Sequence, residues 1–486
     1  MSADRASAIA AAPTGLLRGG SWVASSTGAE FDVLDPATEE PIVGVADASV
    51  EDALAALDVA TATQRSWAAT PPRERGEILR RTYEIMTERN EVLATLMTME
   101  MGKPLAESRA EVAYAADFFR WFSEEAVRLD GTWSTAPDGK SRIVTMKQPV
   151  GPCLFVTPWN FPLAMGARKI GPAIAAGCTV LVKPAKQTPL SMLALAAIMR
   201  EAGLPDGVLA TLTTSASQAV VSALIADPRL RKLSFTGSTE VGRSLAEQSA
   251  GTLLRVSLEL GGNAPFIVFD DADIDAAIDG AMLAKLRNNG EACTAANRFY
   301  VQEGIADEFT RRLAERFGEL VVGAGLDDGV TLGPLIDRGA VDKVAELVSD
   351  AVESGARVVT SVGRDGGAGY FSPASVIDRV DPGARIVTEE IFGPVAPIVR
   401  FTDEEQVLRW ANSSEYGLAG YLFTRDLSRA IRVGEALEVG MIGINRGVLS
   451  NPAAPFGGVK ASGYGREGGH VGIDEYVEIK YLSLQI

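Results

Sequence analysis

At 486 residues the chain can bury a large core, and its length suits two or three domains. Hydrophobic residues make up 47% and charged residues 22%, a soluble globular balance, and no apolar run reaches the ~18 residues of a membrane span. Lys and Arg number 46 against 63 acids, a net charge of −17 that argues against a nucleic-acid partner and for solubility. Three cysteines exclude a disulfide framework, match no zinc motif and point to the reducing cytoplasm. His470 is the only histidine, so there is no His-rich metal site and the chemistry must find another base.

The Ala-rich patch Ala8–Ala12 is broken by Pro13 and Gly15 and reads as a frayed start, not a leader. Helices are expected over 49–68 and 72–100. In the second, Ile78, Ile85 and Val92 recur at seven-residue intervals, as do Leu79, Met86 and Leu93, giving one apolar stripe. A third helix is expected from about 106 to 128. From 152 onward short apolar runs alternate with helices. Strands are expected at Cys153–Val156, Thr179–Val182, Val208–Leu212, Lys232–Phe235 and Leu254–Leu258, with helices over 163–175, 188–202, 217–226 and 239–249. That alternation predicts a parallel sheet covered on both faces.

A second α/β series starts at Phe266–Phe269 and runs to about 445, with helices near 272–287, 304–320, 339–354, 403–412 and 427–436. No linker separates the two series, so the boundary near 260 rests on a motif. Residues 1–128 and 149–260 are assigned to a dinucleotide-binding domain and 261–461 to a catalytic domain. The alternating tail Tyr476–Ile486, in which Val477, Ile479 and Tyr481 face one way, and the isolated Arg142–Gln148 each need an edge to pair with. Segments 129–148 and 470–486 are therefore expected to form a small β element for oligomerisation, with pairing inside one subunit as the alternative.

Four segments carry chemistry. In Asn289-Gly290-Glu291-Ala292-Cys293-Thr294, a cysteine among small and polar neighbours follows a glycine, where backbone can approach a substrate. Cys153 and Cys178 sit in apolar strand contexts and read as packing. In Leu258-Glu259-Leu260-Gly261-Gly262, a carboxylate leaving an apolar strand is partly desolvated, which raises its pKa toward that of a useful base. Phe235-Thr236-Gly237-Ser238-Thr239-Glu240-Val241-Gly242 ends a strand and opens a capped helix, a phosphate-binding geometry without the G-x-G-x-x-G fingerprint. Thr157-Pro158-Trp159-Asn160-Phe161-Pro162 follows the first sheet strand, at the carboxyl end where such folds bind ligands, and Asn160 could donate its amide to an oxyanion.

Together these blocks resemble the aldehyde dehydrogenase superfamily from about residue 15 to the end. Lys183-Pro184, Glu390-Ile391-Phe392-Gly393-Pro394 and Pro455-Phe456-Gly457-Gly458 complete seven matches in the family's order. The resemblance implies a Rossmann-like cofactor domain, an α/β catalytic domain and the small β element. It also implies Cys293 as nucleophile, Asn160 with the Cys293 N–H as oxyanion donors, and Glu259 as the base for the hydrolytic water. Thr157, Pro158, Trp159 and Gly261 would line the cofactor site. Lys183 and Glu390 would hold the two riboses, Phe392 would pack near the nicotinamide, and Gly237 and Ser238 would contact the pyrophosphate. Lys169 and Glu467 match a proton-relay pair.

Within the superfamily the chain is most similar to succinate-semialdehyde dehydrogenases, through Val256–Asp273 and Gly468–Lys480. Arg168, Arg287 and Ser450 stand where that group clamps a carboxylate, and forked guanidiniums suit a carboxylate bidentately. Glutarate or 2-oxoglutarate semialdehyde, or a broad range of aldehydes, are the alternative substrates. Ala295 stands where some relatives carry a second, redox-switching cysteine, and Glu291 stands where the family usually has Gln or a small polar residue. Lys186 replaces a Glu common in NAD-preferring relatives; it can pair with a 2′-phosphate, so NADP is expected over NAD, with no metal. A phosphorylating glyceraldehyde-type enzyme would want a His near its Cys, a CoA-acylating relative would lack Glu259, and a non-catalytic structural or binding member would have lost Cys293. A cytoplasmic homodimer or homotetramer is expected, acting on a small semialdehyde, with no nucleic-acid or membrane partner.

Overall fold

The structure is a computed structural model describing residues 4–364 and 366–485. The N-terminal patch is no frayed start: Arg5–Ala10 is a helix docked on Asn90–Met101, burying Ala8 and Ala12. Two hairpins not expected from the sequence follow, Leu16–Arg18 with Ser21–Val23 and Glu30–Leu34 with Pro41–Ala46. Val50–Ala69 opens with a capping box, Ser49 Oγ accepting from the Asp52 N–H while the Asp52 carboxylate accepts from the Ser49 N–H, each at 3.1 Å.

The single helix expected over 72–100 is two, Pro72–Glu88 and Asn90–Met101, joined where Arg89 leaves helical geometry (φ −100°, ψ 20°). Leu79, Met86 and Leu93 stay buried in one core across the break, which is why their periodicity hides it, whereas Ile85 and Val92 are only partly buried. Arg89 is drawn outward to the Glu201 carboxylate, at 2.6 and 2.8 Å.

The first large sheet runs Gly463–Tyr464, Arg255–Glu259, Lys232–Thr236, Cys153–Val156, Val180–Lys183, Leu209–Thr211. Its strands are parallel except the first, a return of the chain's C-terminal part that pairs antiparallel with Arg255–Glu259. Cys153 and Phe155 point into one core, Leu154 and Val156 into the other, so helices cover both faces. The chain leaves this sheet at Glu259 and enters the second at Ala264. The seven-stranded second sheet is parallel apart from its edge strand Arg357–Val362, and Phe266 and Ile267 again serve opposite cores.

The tail strand Val477–Gln485 pairs antiparallel with Ser141–Pro149 of the same chain, and Thr132–Thr135 completes a three-stranded sheet. Both lone segments thus find their edge within one subunit. Val477 is buried at the root, while Ile479, Tyr481 and Trp133 are exposed (71%, 57% and 67%). Among the described residues no helix is long and apolar enough to cross a membrane.

Candidate active site

The carboxyl ends of the first sheet's strands face the start of the second sheet, and the chemistry-bearing residues meet there. Between the helix Ile274–Leu286 and Cys293 the backbone makes a left-handed run at Asn288, Asn289 and Gly290 (φ 58°, 57° and 80°). Side chains lock this costly geometry: Asn289 donates to the Pro334 carbonyl (2.9 Å) and accepts from the Gly333 N–H (2.8 Å). A Cβ on Gly290 would lie 2.4 Å from the Gly393 carbonyl oxygen, and one on Gly262 would lie 2.2 Å from that of Cys293. These glycines let the cysteine loop press against the Gly393 backbone on one side and the turn that follows Glu259 on the other.

Cys293 is half-buried, and burial pushes its thiol up to about 12; Arg168 and Arg287 oppose that shift, while Glu390 and Glu259 add to it. Asn160, 5% exposed, lines the same cavity. Its Nδ2 donates to the Glu291 carbonyl (2.9 Å) and its Oδ1 accepts from the Phe161 N–H (3.1 Å), leaving one amide hydrogen uncommitted. Lys103, bonded to Glu111 at 2.5 Å, supports the Asn160 carbonyl from below at 2.8 Å.

Glu259 is buried and its Oε2 has no partner among the described residues. Burial raises its carboxyl well above the usual range, Glu467 adds to this, and Arg168 and Lys169 oppose it.

Two cavities meet at Trp159, Gly237 and Ser238. The inner one, about 350 Å³, is lined by Cys293, Asn160, Gly261, Glu390 and Phe392. The outer one, about 710 Å³, is lined by Thr157, Lys183 and Lys186, and Pro158 borders both. All ten residues expected at a cofactor thus lie along one cleft. Trp159 and Phe392 pack edge to face at 5.5 Å between ring centroids. Ser238 caps the helix Thr239–Ala250 where the cavities join, so that helix offers its N–H groups to a phosphate there. Burial lowers the Lys183 amine to about 8 and raises the Glu390 carboxyl to about 7, and Lys186 is exposed at the outer rim. An elongated, phosphate-bearing dinucleotide fits this donor set and shape.

The expected clamp lies outside the cofactor cleft, yet both arginine charges reach Cys293. Arg287 donates to Ser450 Oγ at 2.9 Å, and its guanidinium lies 5.0 Å from the centroid of the Phe161 ring. Arg168 stacks on Phe456 (3.8 Å) and pairs with Glu467 (2.5 Å), whose other oxygen is taken by Lys169. Arg168 and Glu467, expected in separate roles, are thus an ion pair. Lys103 and Glu111 carry no signal in the sequence, the one lying between two helices and the other within the helix Leu105–Glu125. Tyr114, likewise unmarked in the sequence, packs beside Arg287.

The sequence profile of the aldehyde dehydrogenase family matches residues 22–482. The chain is an aldehyde dehydrogenase. It is 55% identical over 440 residues to a succinate-semialdehyde dehydrogenase of Paenarthrobacter nicotinovorans, covering 90% of this chain and 98% of that protein. It is 50% identical over 466 residues to an NADP(+) succinate-semialdehyde dehydrogenase of Escherichia coli K12, covering 96% of each. To a glutarate-semialdehyde dehydrogenase of Pseudomonas putida it is 49% identical over 467 residues, covering 96% of this chain and 97% of that one. A solved structure described as an E. coli NADP-dependent enzyme superposes with a TM-score of 0.96 at 48% identity, over 98% of this chain and 99% of the other. The α/β aldehyde dehydrogenase fold expected from the sequence is the one observed.

Proposed function

We propose that this aldehyde dehydrogenase oxidises succinate semialdehyde to succinate with NADP. The observation that carries the substrate is the pair Arg287–Ser450 beside Cys293, with Arg168 near the same thiol. A guanidinium with nitrogens to spare takes a carboxylate, and this one is placed to hold a short chain's far end while its aldehyde meets sulfur.

Cys293 Sγ attacks the aldehyde carbon, and the new oxyanion lies between the free Asn160 amide hydrogen and the Cys293 N–H. The thiol proton leaves to solvent, which reaches the half-buried sulfur, and Glu259, with its raised pKa and unpartnered Oε2, is kept as the base for the second step. NADP in the cleft supplies the hydride acceptor. Glu259 then deprotonates the water that attacks the Cys293 thioester, and the thiolate leaves with succinate formed. Lys183 and Glu390 would hold the riboses, Phe392 the nicotinamide side, and the helix behind Ser238 the pyrophosphate. Lys186 would meet the 2′-phosphate, a reading that the NADP-dependent relative supports.

Glutarate semialdehyde is the second reading, favoured by the Pseudomonas relative. The test is kcat/KM for succinate and glutarate semialdehydes and for butanal, each with NADP and NAD. Succinate semialdehyde with NADP should lead, and equal values for butanal would overturn the substrate assignment. We assign the chain to the cytoplasm, where its free thiols stay reduced, and to a homodimer or homotetramer joined through the exposed sheet that carries Trp133, Ile479 and Tyr481.

A further inference from the structure

Glu291, two residues before the nucleophile, is wholly buried. Its main-chain carbonyl accepts two side-chain amides, Asn160 Nδ2 at 2.9 Å and Asn288 Nδ2 at 3.0 Å. Its own N–H closes the left-handed turn by donating to the Asn288 carbonyl at 2.9 Å. Its carboxyl reaches away from the loop: Oε1 accepts the Ile336 N–H at 3.0 Å, and Oε2 has no partner among the described residues. Ile336 precedes Asp337, which caps the helix Arg338–Glu353 through the Ala340 N–H. The first turn of that helix, Gly339 and Ala340, with Lys343 beyond it, lines the cavity that holds Cys293. One residue therefore joins the oxyanion donor, the cysteine loop and the facing wall of the cleft.

We infer that Glu291 is a positioning residue for acylation: its carboxyl anchors the loop to Ile336, so that its carbonyl holds Asn160 with one amide hydrogen aimed at the nascent oxyanion. Asn160 is then fixed at three atoms, by Glu291 at Nδ2, by Phe161 at Oδ1 and by Lys103 at its carbonyl. A side chain that could still turn would pay part of its stabilisation back in ordering. Burial raises the Glu291 carboxyl well above its usual pKa, against the Ile336 hydrogen bond and the Lys103 charge, and Gln, which keeps an oxygen for the Ile336 N–H, is its nearest replacement. Leu keeps the bulk and loses the anchor; Asp is too short to reach Ile336.

The inference rests on Asn160 as oxyanion donor, so four proteins are compared with the wild type at saturating NADP: Asn160→Ala, Glu291→Leu, Glu291→Gln and the Asn160→Ala/Glu291→Leu double variant. Glu291→Leu should lower kcat by roughly 10- to 100-fold, the scale of a sub-ångström to ångström misplacement of a reacting group, with KM for NADP little changed. Glu291→Gln should recover most of that loss. In the Asn160→Ala background Glu291→Leu should cost no more than about twofold, because the group it positions is gone. An undiminished loss in that background, or no rescue by Gln, would overturn the inference and leave Glu291 a packing residue. Should Glu291→Leu not fold, Glu291→Asp carries the same comparison. Full kcat in Asn160→Ala alone would instead defeat the oxyanion reading, a separable failure.

Discussion

Replacing Arg287 by Ala is the sharpest probe of the substrate assignment. Arg287 hydrogen-bonds Ser450 Oγ at 2.9 Å, and among the described residues no carboxylate lies within ion-pairing distance of it. Arg168 is already paired with Glu467; deleting it strands a buried carboxylate on Lys169 alone, and breaking such a buried pair costs about 3–5 kcal/mol of stability. Arg287→Ala avoids that penalty, which makes it the cleaner of the two. Losing a charge-assisted bond to the substrate carboxylate should cost about 1.5–3 kcal/mol, or roughly 10- to 150-fold in kcat/KM. Arg287 also helps lower the Cys293 thiol, so the variant should be somewhat slower with every aldehyde. The measured quantity is therefore the ratio of kcat/KM for succinate semialdehyde to that for butanal, in which the common effect cancels. That ratio should fall by the factor above. An unchanged ratio with both rates reduced would mean that Arg287 serves Cys293 and the fold, not the substrate carboxylate.

Cys293→Ala should abolish oxidation, whereas Glu259→Gln should still form the thioester and stall at its hydrolysis, seen as a burst of NADPH followed by slow turnover; a full steady-state rate would remove Glu259 from that step. Lys186→Glu should move the NADP-to-NAD preference toward NAD by about 5- to 30-fold, the size of one partly exposed ion pair, and added salt should shrink the wild-type preference; a ratio indifferent to the change would place Lys186 in solvent. Stability should also depend on Glu291 and pH. Its folded pKa lies above the unfolded value, so its contribution is full below the ordinary carboxylate range and is lost as pH rises through the folded value. Urea midpoints should fall more between about pH 6 and about pH 9 in the wild type than in Glu291→Gln, and parallel changes would refute a raised pKa at Glu291.

The first sheet was legible because apolar runs bounded by turns leave few alternatives, yet two strands were read one residue early. The run Thr179–Val182 is the strand Val180–Lys183, and Leu254–Leu258 is Arg255–Glu259. In each case the residue omitted is the polar one at the carboxyl end, Lys183 on the wall of the outer cavity and Glu259 buried close to the turn that leads into the second sheet. A reading by hydrophobicity ends a strand where its function begins. The N-terminal hairpins escaped because their strands run for only three to six residues, too short for an alternation such as that of Phe31 and Val33 to stand out. The break at Arg89 escaped because the heptad spacing survives it. In the site, Cys293, Glu259, Asn160 and the cofactor residues were legible as blocks joined by a family likeness. Lys169 and Glu467 were expected as a pair and do meet, but sequence could not give Arg168 as a second partner of Glu467, or Ile336 arriving at Glu291.

A net charge of −17 would seem a poor start for an enzyme whose proposed substrate and cofactor are both anions. The resolution is local. At physiological salt an exposed charge is felt over roughly 8 Å, so the distant acids are screened and only the cleft's own charges count. Many of the chain's arginines are spent in pairs: Arg229 with Asp58 and Asp227, Arg400 with Asp307, Asp378 and Glu303, Arg432 with Glu404. Arg287 is not, and it sits half-buried beside the thiol, where a lower effective dielectric lets one charge act on both substrate and sulfur. The same burial that pushes the Cys293 thiol up therefore strengthens the cation that would hold the substrate beside it. Placing one uncommitted guanidinium there does more for an anionic aldehyde than any change in the protein's overall charge could do.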